Sequence, residues 1–209
     1  MVKTAVLVSG GGTNLQAIID SYVSGKIPNC RLAAVVSSNP LAYALKRAEK
    51  AGIPGHVVDV NLYPDRGSFC GAILDKLREL SIELVVLAGF MYILDPAIIS
   101  HYRNRIINIH PALIPSFSGP GCYGLHVHEM ALKMGVKITG ATAHFVSEDV
   151  DAGPIILQKA VEVREGDTPR TLQRRVMEEA EWKILPQAIA LYCSGRLKVD
   201  GHIVRIMEE

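Results

Sequence analysis

Runs of apolar, β-branched residues alternate along this chain with stretches of helical period, and that alternation dictates a parallel sheet wrapped by helices. Strands are expected over 4–9, 32–37, 55–58, 84–87, 106–109, 139–146 and 155–163, with helices over 14–23, 41–51, 67–80, 95–102 and 125–134. A last helix opens at Thr168-Pro169, a hydroxyl cap followed by a proline at the first helical position, and repeats Leu172, Val176, Ala180 and Ile184 at four-residue intervals. Pro186 is expected to kink or end it, because the ring crowds the preceding turn and removes an N–H. Residues 197–199 and 203–206 around Asp200-Gly201 read as a small hairpin. The expected class is α/β: a single Rossmann-like domain over 1–209, its mostly parallel sheet carrying helices on both faces and a C-terminal β-hairpin. Such sheets bind ligands beyond the carboxyl ends of their strands, so the turns there are where chemistry is sought.

Composition narrows the partners. With 209 residues, 49% of them hydrophobic, the chain suits one domain with a sizeable core. Lys and Arg number 22 against 21 Asp and Glu, a net +1 that gives no polyanion-coating surface. Small-molecule substrates are expected, and no nucleic acid. Cys30, Cys70, Cys122 and Cys193 lie far apart with no C-x-x-C pair, so neither a disulfide framework nor a zinc site is indicated. Met1-Val2-Lys3-Thr4 runs straight into an apolar strand without a signal-peptide pattern, and no apolar run approaches ~18 residues. A soluble, cytoplasmic protein without a membrane partner is expected.

The first strand ends in a glycine turn, Ser9-Gly10-Gly11-Gly12-Thr13-Asn14. Three glycines let the backbone approach a ligand closely, and the helix that follows offers free N–H groups and a positive dipole end, which suits an anion. Neither G-x-G-x-x-G nor G-x-x-x-x-G-K-[ST] is satisfied, which argues against nucleoside triphosphates. The alternative is a tight strand-to-helix turn capped by Thr13 or Asn14.

Asn108-Ile109-His110-Pro111 follows another apolar strand, and the two-residue period puts Asn108 and His110 on one face at its carboxyl edge. An amide and a protonated imidazole aimed at one carbonyl would stabilise an oxyanion by ~3–4 kcal/mol per donor. A carboxylate at Asp151 would favour the imidazolium if the fold brings the two together. Alternatively Asn108 caps a turn, His110 is an ordinary packed histidine, and Ser147 to Asp151 form a solvated acidic turn or one that binds a cation. His126-Val127-His128 has ligand-like spacing but no further Cys or His completes a set, so no metal is expected. His144 shares a face with Thr142 and Val146 and reads most simply as packed and hydrogen-bonded, with a place lining the site as the alternative. Glu178 and Glu181 are i,i+3 neighbours on the last helix, a solvated face unless one acid turns inward to hold an amine.

Taken together these segments resemble the folate-dependent phosphoribosylglycinamide formyltransferases of purine synthesis. Val6 to Leu15 is similar to the family's phosphate-binding segment, Ala88 to Leu94 to its folate-binding loop, and Asn108 to Pro111 with Leu113-Ile114-Pro115, and Asp151 to Pro154, to its catalytic segments. The resemblance implies the formyltransferase fold and transfer of a formyl group from the co-substrate 10-formyltetrahydrofolate to the amine of glycinamide ribonucleotide. Asn108 and His110 would stabilise the oxyanion, His110 would donate the proton, and Asp151 would keep His110 charged. Gly12, Thr13 and Asn14 would hold the ribonucleotide phosphate, and Glu178 and Glu181 would touch its glycinamide end. Folate would meet Arg66, the backbone of Met91, Tyr92, Ile93 and Leu94, and Asn108, with Ser147, Glu148, Asp149, Val150 and Asp151 closing over it.

Three features depart from that family. Tyr92 stands where an arginine is common, Trp182 replaces a frequent histidine, and the loop over 116–124 is longer than in many members, its glycines and prolines marking a flap. Relatives that hydrolyse formylfolate or formylate initiator transfer RNA typically carry a further domain. A formyltetrahydrofolate hydrolase and a non-catalytic nucleotide-binding module are the competing readings. As an enzyme of this kind the chain would be a monomer or a homodimer.

Overall fold

The computed structural model describes residues 1–208, and the chain divides into two compact units between Ile107 and Asn108. The first contains β1 (Val2–Val8), β2 (Cys30–Ser37), β3 (Gly55–Val57) and β4 (Leu84–Leu87), paired in parallel in the order β3-β2-β1-β4. Both β4 and the last five residues of β1 are buried throughout, the continuous apolar run that a strand covered on both faces requires. Helix α1 (Thr13–Val23) buries Leu15, Ile18 and Ile19, and α3 (Arg66–Glu79) buries Phe69, Ile73 and Leu77; each such side chain contributes about 1.5–3 kcal/mol of transfer free energy. Between them α2 (Tyr43–Lys50) presents Ala44 and Ala48 inward, small residues that let it approach closely. Asp65 caps α3 by accepting from Ser68 N–H at 2.8 Å, and Asp95 caps α4 (Pro96–His101) ahead of a proline at its first position.

Strand β5 (Ile106–His110) opens in the first unit and ends in the second. The second unit holds β6 (Ile138–Phe145) and β7 (Ile155–Glu162), antiparallel to each other, then β8 (Leu197–Asp200) and β9 (Ile203–Ile206), in the order β6-β7-β9-β8. Its helices are α5 (Leu125–Lys133), α6 (Pro169–Val176) and α7 (Trp182–Cys193). At Gly140 a Cβ would lie 2.1 Å from the Lys159 carbonyl oxygen, so only glycine permits this approach of β6 and β7.

Elements fall within a residue or two of expectation, with three differences. The C-terminal helical stretch is not one helix: a π turn over Met177–Glu181 separates α6 from α7, and α7 runs on through Pro186 instead of ending there. Asp200 pairs with Ile203, so the hairpin turn consists of Gly201 and His202, with Gly201 at φ 59°. A single 3₁₀ turn over Val60–Leu62, capped by Asp59, is too short to leave a period in the sequence. Among the described residues none of the four cysteines forms a disulfide. Among the described residues no helix is long and apolar enough to cross a membrane.

Candidate active site

Four side chains converge in the second unit, beyond the end of β5. His110, 3% exposed, places Nδ1 3.4 Å from Asp151 Oδ2, while its Nε2–H donates to the Phe117 carbonyl at 2.8 Å. Both ring nitrogens therefore face oxygen, the Phe117 carbonyl at one end and the Asp151 carboxylate at the other. Asp151 Oδ2 also accepts from Gly119 N–H at 3.1 Å. The loop after β5 thus fastens to both members of the pair.

Asp151 reaches this position because its turn is pressed against β6. It adopts φ 56°, and a Cβ on Gly153 would sit 1.8 Å from the Phe145 carbonyl oxygen. Glycine is obligatory there, and the turn closes with Phe145 N–H donating to Pro154 O at 2.9 Å. The pairing of β6 with β7 shifts between Ala143 and His144, which places His144 opposite Ile155 at the mouth of this turn.

His144, 2% exposed, is the partner that the sequence reading left as a packed histidine. Its Nδ1–H donates to Phe145 O at 2.9 Å, so Nε2 carries a lone pair and accepts from Asn108 Nδ2 at 3.1 Å. Burial holds its pKa below the ordinary value, against the pull of the Phe145 carbonyl and Asp151, and keeps the ring neutral. One Asn108 N–H is thereby fixed on His144 and the second stays with the same nitrogen, so the amide orientation is set by its neighbour. Thr142, one step back on the same face of β6, donates to Ala112 O at 2.7 Å and accepts from Ile114 N–H at 3.1 Å, anchoring the start of the loop. The alternation Thr142, His144 was the sequence signal for this pair, but nothing local distinguishes it from core packing.

His128 lies apart from His126. It is fully buried with neither ring nitrogen partnered among the described residues, and burial first, then the nearby His110 charge, push its pKa down to about 4. His126 is exposed and contacts Glu129 at 3.1 Å. Among the described residues no cluster of three metal-ligating side chains occurs. Glu181 is buried, whereas Glu178 stays half-exposed and accepts from Arg174 Nε at 2.7 Å. Ser147 Oγ donates to Asp149 O at 2.9 Å and Glu148 and Asp149 face solvent, with Val150 half-buried.

The glycine turn belongs to the first unit. Gly12 caps α1 with φ 71° and no side-chain bond, so neither Thr13 nor Asn14 serves as the cap. A Cβ on Gly12 would lie 2.7 Å from Ala44 Cβ, so the glycine lets the turn seat on α2. Ala44 N–H donates to Gly10 O at 3.1 Å and Arg47 Nε donates to Gly11 O at 2.9 Å. Because a trans peptide opposes its C=O and N–H, drawing both carbonyls to α2 turns the Gly11 and Gly12 N–H groups the other way, away from α2.

In the same unit Met91, Tyr92 and Ile93 are exposed while Leu94 is buried, and Arg66 is exposed at the start of α3. Tyr92 packs edge-on against Phe69 (5.3 Å) and Phe90 (5.8 Å), so the position that departs from the resembled family is filled by an aromatic contact.

Residues 2–189 match the formyl transferase family model. The chain belongs to the formyl transferase family. It is 46% identical over 211 residues to the human trifunctional purine biosynthetic protein adenosine-3, covering 99% of this chain and 20% of that protein. The chain therefore spans about a fifth of the trifunctional relatives it matches. Its identity to the phosphoribosylglycinamide formyltransferase of Escherichia coli is 40% over 198 residues, 95% of this chain and 90% of that one. The solved glycinamide ribonucleotide transformylase 1 of Symbiobacterium toebii superposes with a TM-score of 0.93 at 45% identity, covering 100% of this chain and 95% of that one. The formyl transferase fold here is mixed α/β, mostly parallel, with an antiparallel strand pair at the C-terminus.

Proposed function

We propose that this formyl transferase moves the formyl group of 10-formyltetrahydrofolate to the amine of glycinamide ribonucleotide, a step of purine synthesis, as a single domain and as a soluble cytoplasmic monomer or homodimer. The observation that carries the reading is the His110–Asp151 contact of 3.4 Å beside an Asn108 amide oriented by His144. In the proposed reaction the amine nitrogen bonds to the formyl carbon, and the developing oxyanion is held by Asn108 N–H and His110 N–H. Collapse breaks the bond from carbon to N10; His110 gives N10 its proton, and the proton lost by the amine restores the imidazolium. Asp151 orients the ring and favours its imidazolium form before and after that transfer. Gly12, Thr13 and Asn14 bind the phosphate, and Glu178 and Glu181 serve the glycinamide end. Arg66, the backbone of residues 91–94, Asn108 and residues 147–151 receive the folate. No metal enters the scheme.

The test is formyl transfer from 10-formyltetrahydrofolate with and without glycinamide ribonucleotide. Formylated ribonucleotide forming only when both are present supports the reading. Formate released at the same rate without the amine would make the chain a hydrolase, and binding of the ribonucleotide without turnover would make it a binding module.

A further inference from the structure

Ser9 lies between the two ligand-binding segments assigned to the first unit. Its hydroxyl oxygen accepts from Met91 N–H at 3.0 Å and from Ser38 O–H at 2.8 Å, and its own N–H donates to Gly89 O at 3.2 Å. Ser38 is 2% exposed, and its N–H donates to Val8 O at 3.1 Å, so the donor that fixes Ser9 is itself rooted at the end of β1. Gly10, the next residue, is tied to α2 through Ala44. One residue therefore bonds the turn over 9–14 to the loop over 89–94 through both backbone and side chain. A displacement of either segment changes the Ser9–Met91 distance, and neither can rearrange without straining or breaking that bond.

We infer that Ser9 is a positioning residue that couples the two binding loops, so that occupation of the phosphate-binding turn tightens the folate-binding loop, and the reverse. The inference rests on the functional reading above, which assigns phosphate to one loop and folate to the other. Reciprocity is built into it: each ligand must raise the affinity for the other by the same factor.

The experiment is isothermal titration of the full chain with glycinamide ribonucleotide, in the presence and absence of a folate analogue that carries no transferable one-carbon group. In the wild type the analogue raises ribonucleotide affinity by about fivefold or more. Ser9→Ala brings that factor below about twofold while leaving each separate affinity within about threefold, and Ser9→Thr, which keeps the oxygen, restores it. Undiminished coupling in a folded Ser9→Ala protein, or no coupling in the wild type, overturns the inference. A wild type that binds neither ligand overturns the functional reading instead. Where Ser9→Ala does not fold, hydrogen exchange on the unmodified protein decides: ribonucleotide alone slows exchange at Met91 N–H several-fold, and unchanged exchange there sinks the coupling.

Discussion

At the scale of single residues, His110 and His128 show two opposite fates for an imidazole in one fold. His110 has an acceptor at each nitrogen, and in the proposed reaction it supplies both a proton and an oxyanion contact. His110→Ala is expected to lower turnover by roughly two to four orders of magnitude with ribonucleotide affinity preserved, as read from kcat alongside direct binding. Unchanged turnover would remove His110 from the chemistry. His128 is held neutral by burial, with a folded value of about 4 against 6.5 for the free side chain. Between those values the unfolded chain binds the proton and the folded one does not, so stability is lost as pH falls from about 6.5 to about 4, by on the order of 3 kcal/mol. His128→Leu removes that slope along with two unpartnered nitrogens, and urea melts at pH 5 and pH 7.5 should show the variant's stability relative to the wild type higher at the lower pH. An equal difference at both would contradict the assignment. That Asn108 and His110 share one face was legible from the strand period, whereas the contact of Asp151 with His110 was not, because it depends on a tight turn that no local pattern encodes. The pairing of His144 with Asn108 was likewise hidden, because it comes from a shift in strand pairing.

Among the elements, the connection from β7 to α6 is fixed by one ion pair. Arg175 donates from both guanidinium nitrogens to Asp167 at 2.6 Å, Arg164 N–H adds a bond at 2.8 Å, and the Arg175 contacts are the main reason the Asp167 carboxyl is held far below the usual carboxylate range. A lowered carboxylate contributes its stability above the unfolded value near 4 and loses it as pH falls below that. Asp167→Asn is therefore expected to cost about 1–2 kcal/mol at neutral pH, with the gap to the wild type closing below about pH 4 in thermal melts. A gap that stays constant into acid would mean the carboxylate charge is not what matters. Strand and helix positions followed directly from apolar period and, for α6, from the Thr168-Pro169 cap. The π turn over Met177–Glu181 did not, since a one-residue widening leaves the apolar stripe of Leu172, Val176, Ala180 and Ile184 almost undisturbed.

For the molecule as a whole, charge is nearly balanced at +1, so the phosphate recognition proposed above would rest on the local geometry of one turn rather than on a broad positive field. Bulk RNA added on the order of 10⁻⁵ M at physiological salt should leave the rate of formyl transfer within about twofold, whereas strong inhibition would reveal a polyanion surface that the charge count does not foresee. The α/β class could be read from the order of strands and helices. The long loop after β5 could be located but not placed, because glycine and proline spacing specifies that a chain turns without specifying what it touches. That loop carries a consequence for the resting enzyme. In the proposed reaction the Phe117 carbonyl occupies the same proton that an incoming formyl oxygen would claim, so the backbone would act as an internal rival of the substrate. A donor molecule would then have to displace it first, and its apparent affinity would be reduced by whatever that displacement requires.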